Sequence, residues 1–360
     1  MGIVVFSKRD IVTHPLSISL LENWSKEGHV DYFTIHTELI IENCSIHRIT
    51  NKKYLKHKRV KRYLMTIFFY FKMLYKIFLF KNKNIYVPFS NGVVVDKILK
   101  YIKGNNLIIF HSFEYNESNL RASKTADIII HSEITRLKLT SFKMPNKEHF
   151  YFPNVTGDIK LLKEYSNADV LCKFADGRIK LLYQGLINVE KRCLKEILEA
   201  LKEIEKSTCL IIMPAFFTHS TELSKLKNII KELKLKDSVL FVPSIKSPDH
   251  LGIVEHIDIG IGLYKSNSIN QYFAAPNRLY EINQFKKPLI LPDSVGLKLL
   301  EYEFKGEIFC CNPNSSSSII STIKRANENK TETKMLTQKS GNFKNYFEEL
   351  NFIIEHFNIH

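Results

Sequence analysis

The chain lacks most of the patterns that name a chemistry outright. It has no D-x-D pair, so no two carboxylates are set to clasp a divalent cation against a diphosphate. Neither G-x-G-x-x-G nor a Walker loop is present, which argues against dinucleotide oxidoreductases and P-loop NTPases. The six cysteines form no C-x-x-C pair and no metal-like spacing. Scattered among apolar neighbours, they fit free thiols in a reducing cytoplasm. No internal repeat is visible. The segment Met1-Gly2-Ile3-Val4-Val5-Phe6-Ser7-Lys8-Arg9 has no basic start ahead of an apolar run and no small-residue cleavage site after it. It is expected to be a first strand and not a signal peptide. The longest apolar run, residues 64–80, contains two lysines and is too short and too charged for a bilayer span.

Acidic residues are scarce in one region. Residues 1–150 carry 24 Lys/Arg against 12 Asp/Glu, a net of +12 out of +15 for the whole chain. From Asn43 to Val95 no acidic residue occurs, while twelve basic ones do. That half is expected to meet something anionic. Lys52, Lys53, Lys56, Lys58, Arg59, Lys61 and Arg62 lead into the apolar run, and residues 52–80 read as one long basic, aromatic helix. Such a helix suits the interface of an anionic leaflet. The preferred reading buries its apolar part mostly in the core. Its basic part is left as a patch for anionic lipid or a lipid-diphosphate acceptor. A nucleic-acid surface is the rival, but no recognisable motif accompanies the charge, and no nucleic acid is expected as a partner.

A length of 360 residues with 44% hydrophobic composition suggests two domains with real cores. Strand-like and helix-like segments alternate throughout, which favours parallel sheets wrapped by helices. Ile3-Val4-Val5-Phe6, Tyr32-Phe33-Thr34-Ile35, residues 84–88, Leu107-Ile108-Ile109-Phe110 and Ile128-Ile129-Ile130 read as strands of a first domain. Helices are expected over Pro15 to Glu27 and Val93 to Lys103. Tyr151-Phe152-Pro153-Asn154 reads as the crossing to a second domain. That domain opens with the strand Ile179 to Gly185 and continues with Leu210 to Met213 and Val239 to Val242. The expected division is residues 1–153, residues 154–340, and a last helix in 341–360 that crosses back to the first domain.

The most informative segment is Tyr272-Phe273-Ala274-Ala275-Pro276-Asn277-Arg278-Leu279-Tyr280-Glu281-Ile282-Asn283-Gln284-Phe285-Lys286-Lys287-Pro288-Leu289-Ile290. Pro276 suits a helix start, Leu279, Ile282 and Phe285 repeat at helical spacing, and Lys286-Lys287 suit a last turn. Pro288 then stops the helix ahead of a short buried strand. A helix start with Arg278 in its first turn is an anion site suited to phosphate.

This segment resembles the S-P-N-K-L-[FY]-E … G-K-P-[VI]-I block of GT-B glycosyltransferases, especially the family 4 (glycosyl transferases group 1) type. Pro276, Asn277, Leu279, Tyr280, Glu281, Lys287, Pro288 and Ile290 match, and Arg278 keeps the charge of a Lys. The resemblance implies an α/β fold of two Rossmann-like domains facing an interdomain cleft, with the donor on the second and the acceptor on the first. It places Glu281 on the nucleotide ribose, and Arg278 with the N–H groups of Asn277 and Arg278 on the diphosphate. Tyr183-Gln184-Gly185 resembles the family's Y-Q-G strand end, which makes Gly185 a donor-site residue. Arg192 matches the Arg that follows it in an R-G-L form, with Lys191 the second choice, although Cys193 stands where Gly is usual. The family's first carboxylate of an E-x7-E pair is missing, since Phe273 occupies that position. Asn270 is a donor contact by position, although ordinary loop polarity explains it equally well.

Related enzymes often carry a His at an N-terminal-domain strand end, and His111 stands at one here. The expectation is that His111 bonds a sugar hydroxyl or phosphate and that Glu114 orients it or acts as a base. His131-Ser132-Glu133 resembles a helix-starting S-E turn in which Ser132 is the cap. The function implied is transfer of a sugar from a nucleotide-diphosphate sugar to a hydroxyl of a saccharide or lipid-linked oligosaccharide in surface-polysaccharide biosynthesis. The resemblance favours retention. No cofactor and no metal are expected, because arginines take over charge neutralisation. The expected location is cytoplasmic, peripheral on the inner face of the cell membrane. A GT-B-fold nucleotide-sugar epimerase and a non-catalytic membrane-associated scaffold are the other classes left open.

Overall fold

The computed structural model describes residues 2–8, 10–11, 14–50, 59–79, 83–88, 100, 104, 106–153, 165–216, 218–246, 249–274, 276–303, 307–329 and 343–359. The chain divides into two compact units, Met1–Gly157 with Asn342–His360, and Asp158–Gly341. Of the expected helix over 93–103 only Lys100 is described, and Lys52, Lys53, Lys56 and Lys58 lie outside the described residues.

Among the described residues the first unit holds a seven-stranded sheet. Its strands are β1 (Ile3–Ser7), β2 (Val30–Thr34), β3 (Cys44–Arg48), β4 (Asn84–Val87), β5 (Leu107–Ser112), β6 (Ile128–His131) and β7 (Glu148–Tyr151). Their order is β3-β2-β1-β4-β5-β6-β7 and every pairing is parallel. Ile3, Val5, Ile109, Ile128 and Ile130 face one core, and Val4, Phe6, Ile85, Ile108 and Ile129 face the other. This alternation is why β1, β5 and β6 read as unbroken apolar runs. The Phe343–Ile359 helix belongs to this unit. Its Phe347, Leu350 and Ile354 complete the first core, and Asn351 Oδ1 accepts from Trp24 Nε1 at 3.0 Å.

The second unit holds β8 (Ile179–Gly185), β9 (Thr208–Pro214), β10 (Val239–Phe241), β11 (Ile259–Ile261), β12 (Leu289–Pro292) and β13 (Ile308–Cys311). The order is β10-β9-β8-β11-β12-β13, again all parallel. In each sheet the strand order reverses beside the unit's opening strand, between β1 and β4 and between β8 and β11. Loops leaving the strand ends on either side of such a reversal diverge and open a crevice, where doubly wound sheets place ligands.

The Arg59–Leu79 helix departs from expectation. Met65 and Phe69 are buried against the first sheet, but Tyr63, Leu64, Phe68, Phe71 and Tyr75 are exposed. Tyr70 and Leu74 pack half-buried against the same core, so among the described side chains the apolar part is divided between core and surface. A helix lying on a sheet covers only one stripe of its circumference, and the remaining side chains face outward whatever their polarity.

Candidate functional site

The crevice of the second sheet brings together Gly185, Arg192 and Arg278. Gly185 ends β8 with φ at +128°, a conformation glycine reaches without penalty. The Arg278 guanidinium lies beside it, since a Cβ on Gly185 would stand 2.8 Å from Arg278 Nη2. Across the reversal Gly262 follows β11, and a Cβ there would meet Arg278 Cδ at 2.6 Å and Nη1 at 3.0 Å. The arginine thus threads between two glycines. Its guanidinium carbon sits 5.3 Å from the Tyr183 ring centre, and Nη1 donates to the Ile261 carbonyl at 3.4 Å. Gly262→Ala is expected to push Arg278 aside and weaken anion binding about tenfold, with a cost in stability as well because the added Cβ also crowds the buried Leu291 Cδ2 at 3.3 Å. Titration of nucleotide into the variant measures this.

Arg192 approaches from the loop after β8, with its guanidinium 5.9 Å from the Tyr264 ring centre. Burial lowers its pKa, and the positive charge of Arg278 lowers it further. Neither guanidinium pairs with a carboxylate among the described residues. Two like charges are therefore held close together in a partly desolvated place, an arrangement that favours an incoming anion. Cys193, the next residue, has φ at +51°. Such a left-handed backbone is the one glycine adopts without penalty, and Cys193 adopts it while fully buried. Lys191 is exposed, and its carbonyl accepts from Lys265 N at 3.0 Å.

Glu281 is on the Asn277–Asn283 helix and is 8% exposed. Gln184 Nε2 donates to Oε2 at 2.8 Å, and His250 Nε2 lies 3.4 Å from Oε1. Two partners leave acceptor capacity on a carboxylate for two further donors. Gln184 Oε1 and His250 Nδ1 are buried with no hydrogen-bond partner, so the groups that hold Glu281 have polar valence to spare. His250, on the 3-10 helix Asp249–His256, carries no sequence signal toward this site. Its approach to Glu281 is a product of tertiary packing. Pro276 is the N-cap of the Asn277–Asn283 helix and not its first residue. Lys286, at φ +55°, and Lys287 lie beyond the helix and not in its last turn. Asn277 is exposed, and Asn270 is half-buried on the short helix Ile269–Tyr272.

In the first unit His111 and Glu114 are not brought together. His111 is fully buried, with Nδ1 hydrogen bonded to Tyr86 OH at 2.8 Å and Nε2 to Ser132 Oγ at 2.8 Å. Phe113 stacks on the ring with centroids 3.8 Å apart. Both ring nitrogens are occupied, and burial pushes the pKa well below the usual histidine range. Glu114 is exposed and accepts from Asn116 Nδ2 at 3.0 Å, so Tyr86 and Ser132 orient the imidazole in its place. Ser132 is not the helix cap. Glu133 caps the Ile134–Lys143 helix by accepting from the N–H groups of Thr135 and Arg136, because its longer side chain reaches both donors. Of the basic patch, Lys61 is exposed and Arg62 half-buried on the Arg59–Leu79 helix.

No family model matches the chain, and no curated protein matches it in sequence. Solved structures do match in shape. HepE of Anabaena in complex with UDP and glucose is 13% identical, with 98% of this chain and 99% of that chain covered and a TM-score of 0.69. Sucrose-phosphate synthase from Thermosynechococcus elongatus is 15% identical over 99% of both chains, at a TM-score of 0.72. A glycosyltransferase from Rickettsia africae is 12% identical over 99% of this chain and 98% of that one, at 0.70. With both parallel sheets matched over nearly the full length, the chain has the two-domain α/β fold of the GT-B glycosyltransferases.

Proposed function

We propose that the chain is a glycosyltransferase that moves a sugar from a nucleotide-diphosphate sugar to a hydroxyl of a saccharide or lipid-linked acceptor in surface-polysaccharide assembly. One observation carries the donor half of this reading. Arg192 and Arg278 share the crevice of the second sheet, unpaired with any carboxylate among the described residues, one turn of helix from a buried Glu281. In this reading the guanidiniums take the diphosphate, since a guanidinium engages two phosphate oxygens at once. As the bond from the anomeric carbon to phosphate breaks, charge grows on the departing oxygen, and preorganised cations beside it stabilise that charge. Glu281, steadied by Gln184 and His250, accepts from ribose hydroxyls. With charge neutralised in this way, the proposal needs no metal. Retention at the anomeric carbon is carried over from the family resemblance. HepE was solved with UDP and with UDP-glucose, so UDP is the first nucleotide to test.

The basic excess of residues 1–150 supports an acceptor with anionic groups and a place on the inner face of the cell membrane. His111 and Glu114 do not enter the proposal, and the two are not assembled as the acid and base that an epimerase would need. Thermal stabilisation by UDP, GDP, ADP, CMP and dTDP, each with and without sugar, tests the donor site. A selective shift is expected, weakened by about 1–3 kcal/mol of binding in Glu281→Ala. No shift with any nucleotide would leave a non-catalytic scaffold as the better reading.

A further inference from the structure

The Arg59–Leu79 helix has an outward face that the fold does not use. Val60, Leu64, Phe68, Phe71 and Tyr75 are between 59% and 73% exposed. At 3.6 residues per turn these five side chains fall within an arc of roughly 80° and run about 22 Å along the axis. The buried pair Met65 and Phe69 lies on another side of the helix, against the sheet. An aligned stripe of large exposed apolar groups is uncommon on a soluble surface and marks a place where something docks. No described helix is long and apolar enough to cross a membrane, so insertion would be shallow.

Charge selects the occupant. Exposed Lys61 and half-buried Lys72 border the stripe, and no acidic residue occurs anywhere from Asn43 to Val95. A second copy docking through the same face would set one cationic region against another, which like-charge repulsion opposes. An acidic bilayer surface meets both requirements, taking the aromatics below its headgroups and the cations at them. We infer that the Val60–Tyr75 face of this helix inserts into the interfacial region of anionic phospholipid membranes. The inference rests on the membrane-peripheral part of the proposed function and not on the donor site, so nucleotide binding and vesicle binding fail separately.

Cosedimentation of the full chain with vesicles tests it, using phosphatidylcholine alone and phosphatidylcholine with an equal part of phosphatidylglycerol. The protein is expected to bind the anionic vesicles at least about tenfold more strongly than the neutral ones, with binding that falls as salt rises. Phe68→Ser/Phe71→Ser/Tyr75→Ser should lower binding to anionic vesicles at least about tenfold. These side chains are already exposed, so the variant should keep the wild-type melting temperature, and a vesicle-free melt checks that. Lys61→Gln/Lys72→Gln should flatten the salt dependence while the protein stays folded. Equal binding to both vesicle types, no binding by the wild type, or unchanged binding by the triple variant overturns the inference. A concentration-dependent dimer that the triple variant loses, without vesicle binding, also overturns it and assigns the face to a second copy.

Discussion

Arg278→Ala should lower affinity for the nucleotide diphosphate by about a hundredfold and leave the unliganded fold equally stable or slightly more so. The loss follows from charged hydrogen bonds of about 1.5–3 kcal/mol between guanidinium and phosphate in a partly desolvated crevice. The stability follows from the neighbours. Arg278 and Arg192 repel, burial and that repulsion already lower the pKa of Arg192, and no carboxylate is left behind when either is removed. A buried ion pair would behave in the opposite way, since deleting one partner strands the other. Arg278→Lys keeps the charge the family block usually carries and should retain much of the binding, losing the two-pronged contact. Calorimetric titration of UDP and a melt of the unliganded variants decide the matter. If Arg278→Ala unfolds several degrees earlier and binds UDP unchanged, its stacking on Tyr183 is its purpose and the donor assignment fails. Arg192→Ala should act in the same direction, and the double variant should lose less than the sum, because both cations serve one anion.

Much of this arrangement was legible in residue order, for identifiable reasons. Fully buried parallel strands are continuous apolar runs, so β1, β5, β6, β8 and β9 stand out. The edge strands β3 and β7 do not. Cys44-Ser45-Ile46-His47-Arg48 and Glu148-His149-Phe150-Tyr151 pack on one side only and carry the polarity of loops. Gly185 and Arg192 could be singled out from one segment and Arg278 and Glu281 from another, because each pair belongs to a stretch that is local in sequence. His250 and Tyr264 were not, since what makes them part of the site is a distance set by packing. His111 shows a related limit of the sequence. A histidine at a strand end is ambiguous until its partners are seen, and Tyr86 and Ser132 are 25 and 21 residues away. The Arg59–Leu79 helix shows the limit of composition. Apolar content predicts burial only where there is enough sheet to cover it.

Stability should fall markedly between pH 7 and pH 5, with His131 the clearest contributor. His131 Nε2 is 3.0 Å from His149 Nδ1, and burial, His149 and Arg136 together lower its pKa from 6.5 to about 3. Below pH 6.5 the unfolded chain takes up a proton on this residue that the folded chain refuses, so acid draws the equilibrium toward unfolding until about pH 3. For one such group the cost at pH 5 relative to pH 7 is about 2 kcal/mol. His111 is shifted in the same direction by burial and adds to the loss. Glu22, Glu27, Glu133 and Glu307 oppose it, because burial raises their pKa values and the folded state then binds a proton more readily than the unfolded one. Urea denaturation at the two pH values gives the net, and His131→Gln isolates the histidine. The variant is expected to be less stable than wild type at pH 7, having lost the packed imidazole, but to close that gap by about 2 kcal/mol at pH 5. A gap that stays constant across the two pH values would mean that folding does not depress the His131 pKa and that the buried imidazole takes up its proton as readily as the unfolded one. The native fold tolerates buried imidazoles at neutral pH because each is hydrogen bonded, and acid removes that tolerance by charging them where water cannot follow.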